Sequence, residues 1–256
     1  MEILSATAPA TGGTSRTIHR RFVSAATDGL PADPLEDLTD EGPPYVTLPV
    51  PGLRERKKQR TRDALVRVAL ELFATQGYER TTVDEIADAV DVSQRTFFRY
   101  FATKEDVAFA VQQMVEDCFV RALAERPAEE GPFDAMRHAA LEVWQTVGEA
   151  IQEIVPVDLY LRNFQLVEST PSLLAAHLRR STEMEESVAR LIAEREGLDV
   201  DADPRPRIAV AAFSSVLRVT TRLWGREGDP SFQSICGITE RYLDHLGPAL
   251  APRWRT

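Results

Sequence analysis

Residues 82–101 read TVDEIADAVDVSQRTFFRYF, and this stretch decides how the rest of the chain is interpreted. Thr82 and Glu85 have the spacing of a capping box, in which two side chains bond reciprocally to backbone N–H groups at a helix start. This pair predicts a short helix that begins after Thr82. Asp91 occupies a tight turn, where Asp tolerates a left-handed backbone better than most residues, and a second short helix is predicted over residues 93–100.

The apolar residues of this stretch predict how the two helices pack. Ile86 and Val90 share the inner face of the first helix. Val92 and Phe97 supply the matching surface of the second. Ala87 is small at the point where the second helix must cross closely. Because these residues form a miniature core, the outward face of the second helix is left polar.

That outward face carries side chains that can hydrogen-bond to base edges or phosphates in a major groove of DNA. They are Ser93, Gln94, Arg95, Thr96 and Arg99. A short helix that is apolar inside and hydrogen-bonding outside is what reading a groove requires. An ordinary helical hairpin with a solvated surface has the same pattern, so this segment alone leaves both interpretations open.

The neighbouring segments favour DNA. Tyr100 and Lys104 follow the second helix closely, where a phenol and an ammonium can bind flanking phosphates, and Thr103 and Asp106 form another capping pair. Upstream lies a basic run with a single acid, whose cations are Arg54, Arg56, Lys57, Lys58, Arg60 and Arg62. Residues 54–105 carry 11 Lys/Arg against 9 Asp/Glu, whereas the rest of the chain carries 19 against 31. A polyanion is therefore attracted to this end and repelled by the acidic remainder.

Residues 54–107 resemble the DNA-binding domain of the TetR family of transcriptional regulators. The resemblance rests on ALELFATQGYERTTVDEIADAVDVSQRTFFRYFATKEDV, in which ELF, GY, TTVDEIA and the YF-x-x-KED exit occur in register. It implies a homodimer whose reading helices enter successive major grooves, roughly 34 Å apart, of a near-palindromic operator. Beyond residue 107 the family is recognised only by its layout of six or so further helices.

Residue roles follow from the resemblance position by position. The side chains expected to read bases or bind phosphates are Gln94, Arg95 and Thr96. Those expected to hold the DNA backbone are Thr82, Tyr100 and Lys104. At position 98 this chain has a phenylalanine, whereas the family usually has a tyrosine, whose hydroxyl often binds DNA. Phe98 is therefore expected either to pack or to touch a thymine methyl group.

The whole chain is predicted to be all-α, with about nine helices. Residues 1–52 are rich in Ala, Thr, Pro and Gly without a helical or strand period, and are predicted to form a disordered tail. Residues 53–102 form the predicted three-helix, helix-turn-helix domain. Residues 103–250 form the predicted effector-binding and dimerisation domain, which opens with one long helix. Three later helices are expected to begin at a capping residue followed by proline, at Thr170–Pro171, Asp203–Pro204 and Asp229–Pro230.

The sequence contains no catalytic or metal-binding constellation, so we expect neither an enzyme nor a cofactor. The four histidines are scattered, and no nucleophile elbow or glycine-rich phosphate loop is present. Cys118 and Cys236 are far apart, which favours reduced thiols over a disulfide or a zinc site. Without a long apolar run or a secretory signal, we expect a cytoplasmic protein that does not enter a membrane.

The helices after residue 106 are expected to hold a small-molecule effector and the dimer contact, because the resemblance implies both. The candidate cavity residues lie at internal positions of separate helices and are Met114, Cys118, Trp144, Tyr160, Phe164 and Phe213. Plain core packing explains each of them equally well. Walls of this kind are mainly apolar and favour a hydrophobic ligand. The homodimer is expected to form through the last two helices, and an all-α scaffold protein without DNA binding is the alternative.

Overall fold

The computed structural model of the chain describes residues 53–224 and 229–249, and these residues form an all-α structure. The predicted disordered tail over residues 1–52 lies outside the described residues. None of the described helices is long and apolar enough to cross a membrane. In chain order the helices are α1 (Leu53–Gln76), α2 (Val83–Ala89), α3 (Gln94–Tyr100), α4 (Lys104–Ala108), α5 (Ala110–Ala124), α6 (Pro132–Ile154), α7 (Val157–Ser169), α8 (Pro171–Glu196), α9 (Arg205–Trp224), α10 (Phe232–Asp244) and α11 (Leu246–Ala249).

The described residues form eleven helices, where the sequence predicts about nine. One additional helix is the four-residue α11. The other arises because the long helix expected after Thr103 is interrupted at Phe109, whose backbone has φ −99° and ψ 4°. At this break the carbonyl of Ala108 accepts a hydrogen bond of 2.9 Å from Nδ2 of Asn163 in α7. A buried side chain from a distant part of the sequence thus satisfies a carbonyl that the interrupted helix leaves without its usual partner.

Local signals in the sequence correctly predict the starts of α2 and α4. Thr82 and Glu85 form the expected capping box at α2, and Thr103 and Asp106 form one at α4. Asp91 has φ 56°, the left-handed conformation expected for the turn between α2 and α3. These features depend on residues close in sequence, which is why the sequence pattern reveals them.

The helix starts predicted at proline are only partly correct. Helix α8 begins as predicted, and α9 begins one residue later than predicted. The third prediction is wrong, because α10 begins at Phe232 and not at Pro230. Ser231 is the capping residue, and its Oγ accepts a hydrogen bond of 3.1 Å from the backbone N–H of Ser234. Asp229 instead accepts a hydrogen bond of 3.0 Å from the backbone N–H of Ser231. It therefore positions the capping residue and is not itself the cap.

A continuous apolar core joins α1–α4 to α6 and α7. Its buried members from both sides include Leu65, Phe73, Ile86, Phe97, Val107, Ile151, Leu159 and Val167. Nε of Arg67 in α1 also donates to the carbonyl of Ile154 at the end of α6, at 3.1 Å. A second apolar cluster joins α5, α6, α8, α9 and α10. Since the first core extends across residue 102, the division into two domains at that point stays a prediction.

Helices α6 and α10 approach closely at Gly148. A Cβ atom at this position would lie 2.9 Å from Cγ of Phe232, closer than real Cβ contacts allow. The ring of Phe232 stacks on Trp144 with centroids 6.3 Å apart and lies 5.5 Å from the ring of Trp224. Glycine therefore lets α10 place an aromatic side chain against α6, in a cluster that was not apparent from the sequence.

Candidate nucleic-acid interface and ligand cavity

The orientation of α3 follows from the burial of its inner side. Phe97 is completely buried, and Phe101 just after the helix is 5% exposed. Ile86 and Ala87 of α2 are buried in the same core, as predicted. Because α3 has only seven residues, burying this side determines which of its side chains reach solvent.

Gln94 and Arg95 are exposed at the start of α3. Neither side chain forms a hydrogen bond or ion pair within the described part of the chain, so both are available to an external partner. Ser93 and Thr96 are less available. Ser93 Oγ accepts a hydrogen bond of 3.2 Å from the Thr96 backbone N–H and lies 3.0 Å from Thr96 Oγ1. The two hydroxyl groups therefore serve the helix cap, while the amide and the guanidinium face outward.

The second turn of α3 presents two aromatic rings. Phe98 is 48% exposed, and its ring meets that of Phe97 edge-on with centroids 5.5 Å apart. The guanidinium of Arg99 lies 5.2 Å above the ring of Tyr100, which is half-buried. Phe98 packs on Phe97 with part of its ring and leaves the rest exposed, so its contact with a thymine methyl group stays a prediction. Contact of Arg99 and Tyr100 with DNA stays a prediction.

The basic run begins α1, where every residue from 53 to 60 is exposed, whereas Arg62 is partly buried with its guanidinium 5.3 Å above the ring of Phe101. Lys58 Nζ lies 3.4 Å from Glu55 Oε1, an exposed pair of little energetic value. The remaining cations have no ionic partner among the described residues and are Arg54, Arg56, Lys57 and Arg60. Solvated cations of this kind bind phosphates through the release of counterions, so the geometry is suited to the predicted contact with a DNA backbone.

Thr82 is exposed at the start of α2, and its hydroxyl belongs to the capping box. The backbone N–H and the hydroxyl of Thr82 donate to Glu85 Oε2 at 2.8 and 3.1 Å, and Oγ1 accepts from the Glu85 N–H at 3.2 Å. These bonds, led by the one from the backbone N–H, lower the pKa of Glu85. The predicted phosphate contact of Thr82 is sterically open and stays a prediction.

Lys104 has an intramolecular role that the sequence did not reveal. Its ammonium donates to the carbonyls of Tyr78 and Thr81 at 2.7 and 2.8 Å and lies 4.2 Å above the ring of Tyr78. Burial lowers its pKa. The phosphate contact of Lys104 stays a prediction, but two of its three N–H donors already hold the loop between α1 and α2 against α4, so we propose that its main role is structural.

A cavity of about 220 Å³ lies among α5, α6, α7, α8 and α9. Four of the six predicted cavity residues line it, namely Trp144, Tyr160, Phe164 and Phe213. Met114 and Cys118 do not, and they pack instead against the core shared with α6 and α7. The face of α5 that lines the cavity carries Gln112, Val115, Glu116 and Phe119. Met114 and Cys118 lie on the side of α5 on which Val111 is buried, and that side faces the core rather than the cavity.

Polar groups also line the cavity, and two of them, Glu116 and His177, were missed by the sequence analysis. Glu116 accepts a hydrogen bond of 2.7 Å from Gln112 Nε2, and burial raises its pKa. Burial also raises the pKa of Tyr160 to about 12, so its hydroxyl stays a donor. His177 has a buried Nδ1 with no hydrogen-bond partner among the described residues, and burial lowers its pKa. Glu116 and His177 became recognisable as cavity residues only when separate helices brought them to the same space.

Two ion pairs border the same cavity and join α9 to its neighbours. Arg218 pairs with Glu185 of α8 at 2.7 Å, and Arg222 pairs with Glu168 of α7 at 2.6 Å. Both arginines and both glutamates contribute to the lining. Because these charges are already paired, the lining combines compensated charges with aromatic and aliphatic walls.

Comparison with known proteins identifies the family. The profile described as bacterial regulatory proteins of the tetR family matches residues 65–111, and that of the MftR C-terminal domain matches residues 130–251. The HTH-type transcriptional regulator TcmR of Streptomyces glaucescens is 49% identical over 205 residues, which span 80% of this chain and 91% of TcmR. The chain belongs to the TetR family.

One further curated relative and two solved structures are similar to this TetR-family chain. The mycofactocin biosynthesis transcriptional regulator MftR of Mycobacterium tuberculosis is 27% identical over 150 residues, which span 56% of this chain and 69% of MftR. The structure of SmeT in complex with triclosan shares the fold with a TM-score of 0.51 at 17% identity, covering 75% of this chain and 91% of SmeT. NalD of Pseudomonas aeruginosa, the secondary repressor of the MexAB-OprM efflux pump, also has a TM-score of 0.51, at 20% identity, covering 77% of this chain and all of NalD.

TetR regulators bind operator DNA, often as homodimers, and bind small-molecule effectors. As a member of the family, this protein is a DNA-binding transcriptional regulator. The alternative of an all-α scaffold without sequence-specific DNA binding is not favoured.

We predict that Lys104→Met and Lys57→Met separate a structural lysine from a phosphate-binding one. Lys104→Met removes two hydrogen bonds from the loop before α2 and is expected to lower the free energy of unfolding by about 1–3 kcal/mol. Lys57→Met alters only an exposed cation and is expected to leave stability within about 0.5 kcal/mol. Urea unfolding followed by circular dichroism measures both.

The same two variants are also expected to differ in how strongly salt weakens their binding to DNA, and here the change is expected in Lys57→Met. Lys57→Met reduces the slope of log affinity for duplex DNA against log salt by about one for each bound subunit, whereas Lys104→Met leaves the slope unchanged. Fluorescence anisotropy with a labelled duplex at several salt concentrations gives the slopes. A loss of slope in Lys104→Met equal to that in Lys57→Met would support the phosphate role of Lys104.

Proposed function

We propose that this TetR-family regulator is a homodimeric repressor, which binds a palindromic operator in the cytoplasm and is released by a small, mainly hydrophobic effector. One observation carries the proposal: a single chain combines an exposed Gln94–Arg95 face on α3 with a ligand-sized cavity among α5–α9. The exposed face offers an amide and a guanidinium to base edges, and the cavity offers a mainly apolar site for a ligand.

The chemistry of α3 supports reading of a major groove. An amide matches the donor and acceptor edge of adenine, and a guanidinium matches the two acceptors of guanine. The basic run at residues 54–60 adds cations that suit flanking phosphates, and phosphate contacts set position while base contacts set sequence. Gln94 and Arg95 are therefore proposed as base readers, with the run on α1 as the backbone contact.

We predict that the protein binds a duplex from its own promoter region more tightly than a scrambled duplex, and that binding weakens steeply with salt. Arg95→Ala is expected to lose about 1–3 kcal/mol of the preference for the operator. Arg162→Ala, which removes an exposed arginine of α7 paired with Asp158, is the matched control and should bind as the wild type does. Anisotropy with both duplexes measures this. Equal binding of the wild type to the two duplexes would refute the proposal of an operator reader.

The proposed dimer contact lies on α9 and α10. One side of α9 exposes Ile208, Ala211, Ser215 and Val219, which are spaced three and four residues apart and so form a stripe along the helix. Ile208 is 64% and Val219 43% exposed. Branched side chains beside small ones suit close packing of two symmetry-related helices. On α10 the exposed Tyr242 extends this surface, whereas Phe232, Ile235 and Ile238 are buried within the chain and are unavailable to a partner.

Val219→Glu is predicted to convert the dimer to a monomer, because association would bury an unpaired carboxylate. Thr182→Glu places the same charge on an exposed site of α8 and serves as the control. Sedimentation velocity gives the mass of each variant, and circular dichroism confirms that both are folded. A dimer of unchanged stability in Val219→Glu would place the interface elsewhere on the protein.

The cavity supports an effector with an apolar body and one or two hydrogen-bonding groups. Its aromatic and aliphatic lining favours the burial of an apolar surface. His177 Nδ1 and the Tyr160 hydroxyl are the polar atoms best suited to orient a ligand, since one is buried without a partner and the other stays protonated. Pocket ligands are commonly fixed by a few such groups among apolar walls.

A series of contacts leads from this cavity towards the reading helix. The ring of His177 stacks on Phe109 with centroids 6.3 Å apart, and the guanidinium of Arg180 lies 5.0 Å above the ring of Phe109. Arg180 also pairs with Asp106 at 2.5 Å. Asp106 caps α4 at Thr103, which lies three residues after the end of α3 and two after Phe101. We therefore propose that a ligand displaces α8 and the α4–α5 break together, which changes the position of α3.

Ser181→Trp and Thr182→Trp test the cavity and its coupling to DNA. Ser181 lines the cavity, so its replacement by an indole is expected to fill the space and to weaken binding of the fluorescent probe anilinonaphthalene sulfonate at least tenfold. The filled cavity is also expected to weaken operator binding, as an effector would. Thr182 is the exposed neighbour, and its variant should change neither affinity. Weaker probe binding with unchanged operator binding would contradict the coupling while leaving the cavity in place.

A further inference from the structure

Phe98 is an exposed apolar side chain that the packing of the protein does not explain. It is 48% exposed, whereas Phe97 and Phe101 on the inner side are 0% and 5% exposed. The other large hydrophobic side chains exposed in the described residues lie at the start of α1, at the cavity or on α9 and α10, and are Leu53, Leu178, Ile208, Val219 and Tyr242. Phe98 belongs to none of these surfaces and lies instead on α3, beside the side chains that are proposed to read bases.

The surroundings of Phe98 identify the chemistry of a partner at this position. The edge-on contact with Phe97 holds the ring of Phe98 in place while half of its surface stays open. Gln94 lies one turn earlier on the same side of α3, and Arg95 lies beside it. A partner of this surface must therefore offer hydrogen-bonding edges and an apolar group side by side. The major groove of DNA does so, and its apolar group is the C5-methyl of thymine.

We propose that Phe98 is a specificity-determining residue whose ring contacts the C5-methyl group of a thymine in each operator half-site. Four residues of helix rise span about 6 Å, so this thymine lies roughly two base steps from the base that Gln94 contacts. The ring has no hydroxyl with which to bind a phosphate, so contact with a base is the interaction that remains for it. The inference rests on the proposed function, because it requires that α3 enters a major groove.

The test begins with the operator itself. Selection from a pool of random duplexes with the full-length protein yields the preferred half-site, and failure of this step would contradict the proposed function rather than the role of Phe98. Each thymine of the selected duplex is then replaced singly by deoxyuridine. This change removes one methyl group and leaves every hydrogen-bonding atom of the base pair intact.

The expected result is one thymine in each half-site at which deoxyuridine weakens binding of the wild type by roughly fourfold, the value of one buried methyl group. In Phe98→Ala the same replacement has no effect, because the ring that contacts the methyl group is gone. Phe98→Tyr keeps the ring and is expected to keep the penalty. Circular dichroism checks that all three proteins are folded, which the exposure of Phe98 favours.

Two results would overturn the inference. Wild-type protein that binds every deoxyuridine duplex as tightly as the thymine duplex does not contact a methyl group. A deoxyuridine penalty of the same size in Phe98→Ala assigns the methyl contact to another side chain. In both cases selective binding of the unmodified operator would leave the proposed function standing.

Discussion

The complete burial of Phe97 sets the orientation of α3, and the proposed DNA-reading surface depends on that orientation. The core that receives Phe97 is built by Ile86 and Ala87 of α2 and by Phe101. A helix of seven residues has little more than an inner and an outer side, so driving one aromatic ring inward turns Gln94 and Arg95 towards solvent. The hydrophobic effect thus positions polar side chains that it does not itself bury.

The same core explains why the reading helices are not mechanically independent of the rest of the chain. Apolar packing continues from α1–α4 into α6 and α7, and polar contacts reinforce it at separate points. Lys104 holds the loop before α2 to α4, and Arg67 bonds to the end of α6. Asn163 satisfies the carbonyl at the break between α4 and α5. Interiors packed in this way transmit displacement, which is the physical basis of the proposed effector response.

Sequence patterns predicted the structure correctly where a feature depends on residues that are close together in the chain. The capping boxes at Thr82 and Thr103 involve partners three residues away, and the left-handed Asp91 follows from the turn that it occupies. The pattern also separated the inner from the outer side of α3, because burial of apolar residues at helical spacing is a strong preference. The cavity was predicted less well. Trp144, Tyr160, Phe164 and Phe213 line it, whereas Met114 and Cys118 do not.

The sequence by itself determined the all-α class, the helix-turn-helix and the outward direction of Gln94 and Arg95 on α3, since each depends on periodicity or on bonds between near neighbours. Only the tertiary structure decided the use of Lys104, the break at Phe109 and the polar lining of the cavity. Lys104 reaches carbonyls 26 and 23 residues away, and Asn163 bonds to a carbonyl 55 residues away. Such contacts leave no local pattern, because they form only after separate helices have packed and any donor at the right place in space can serve.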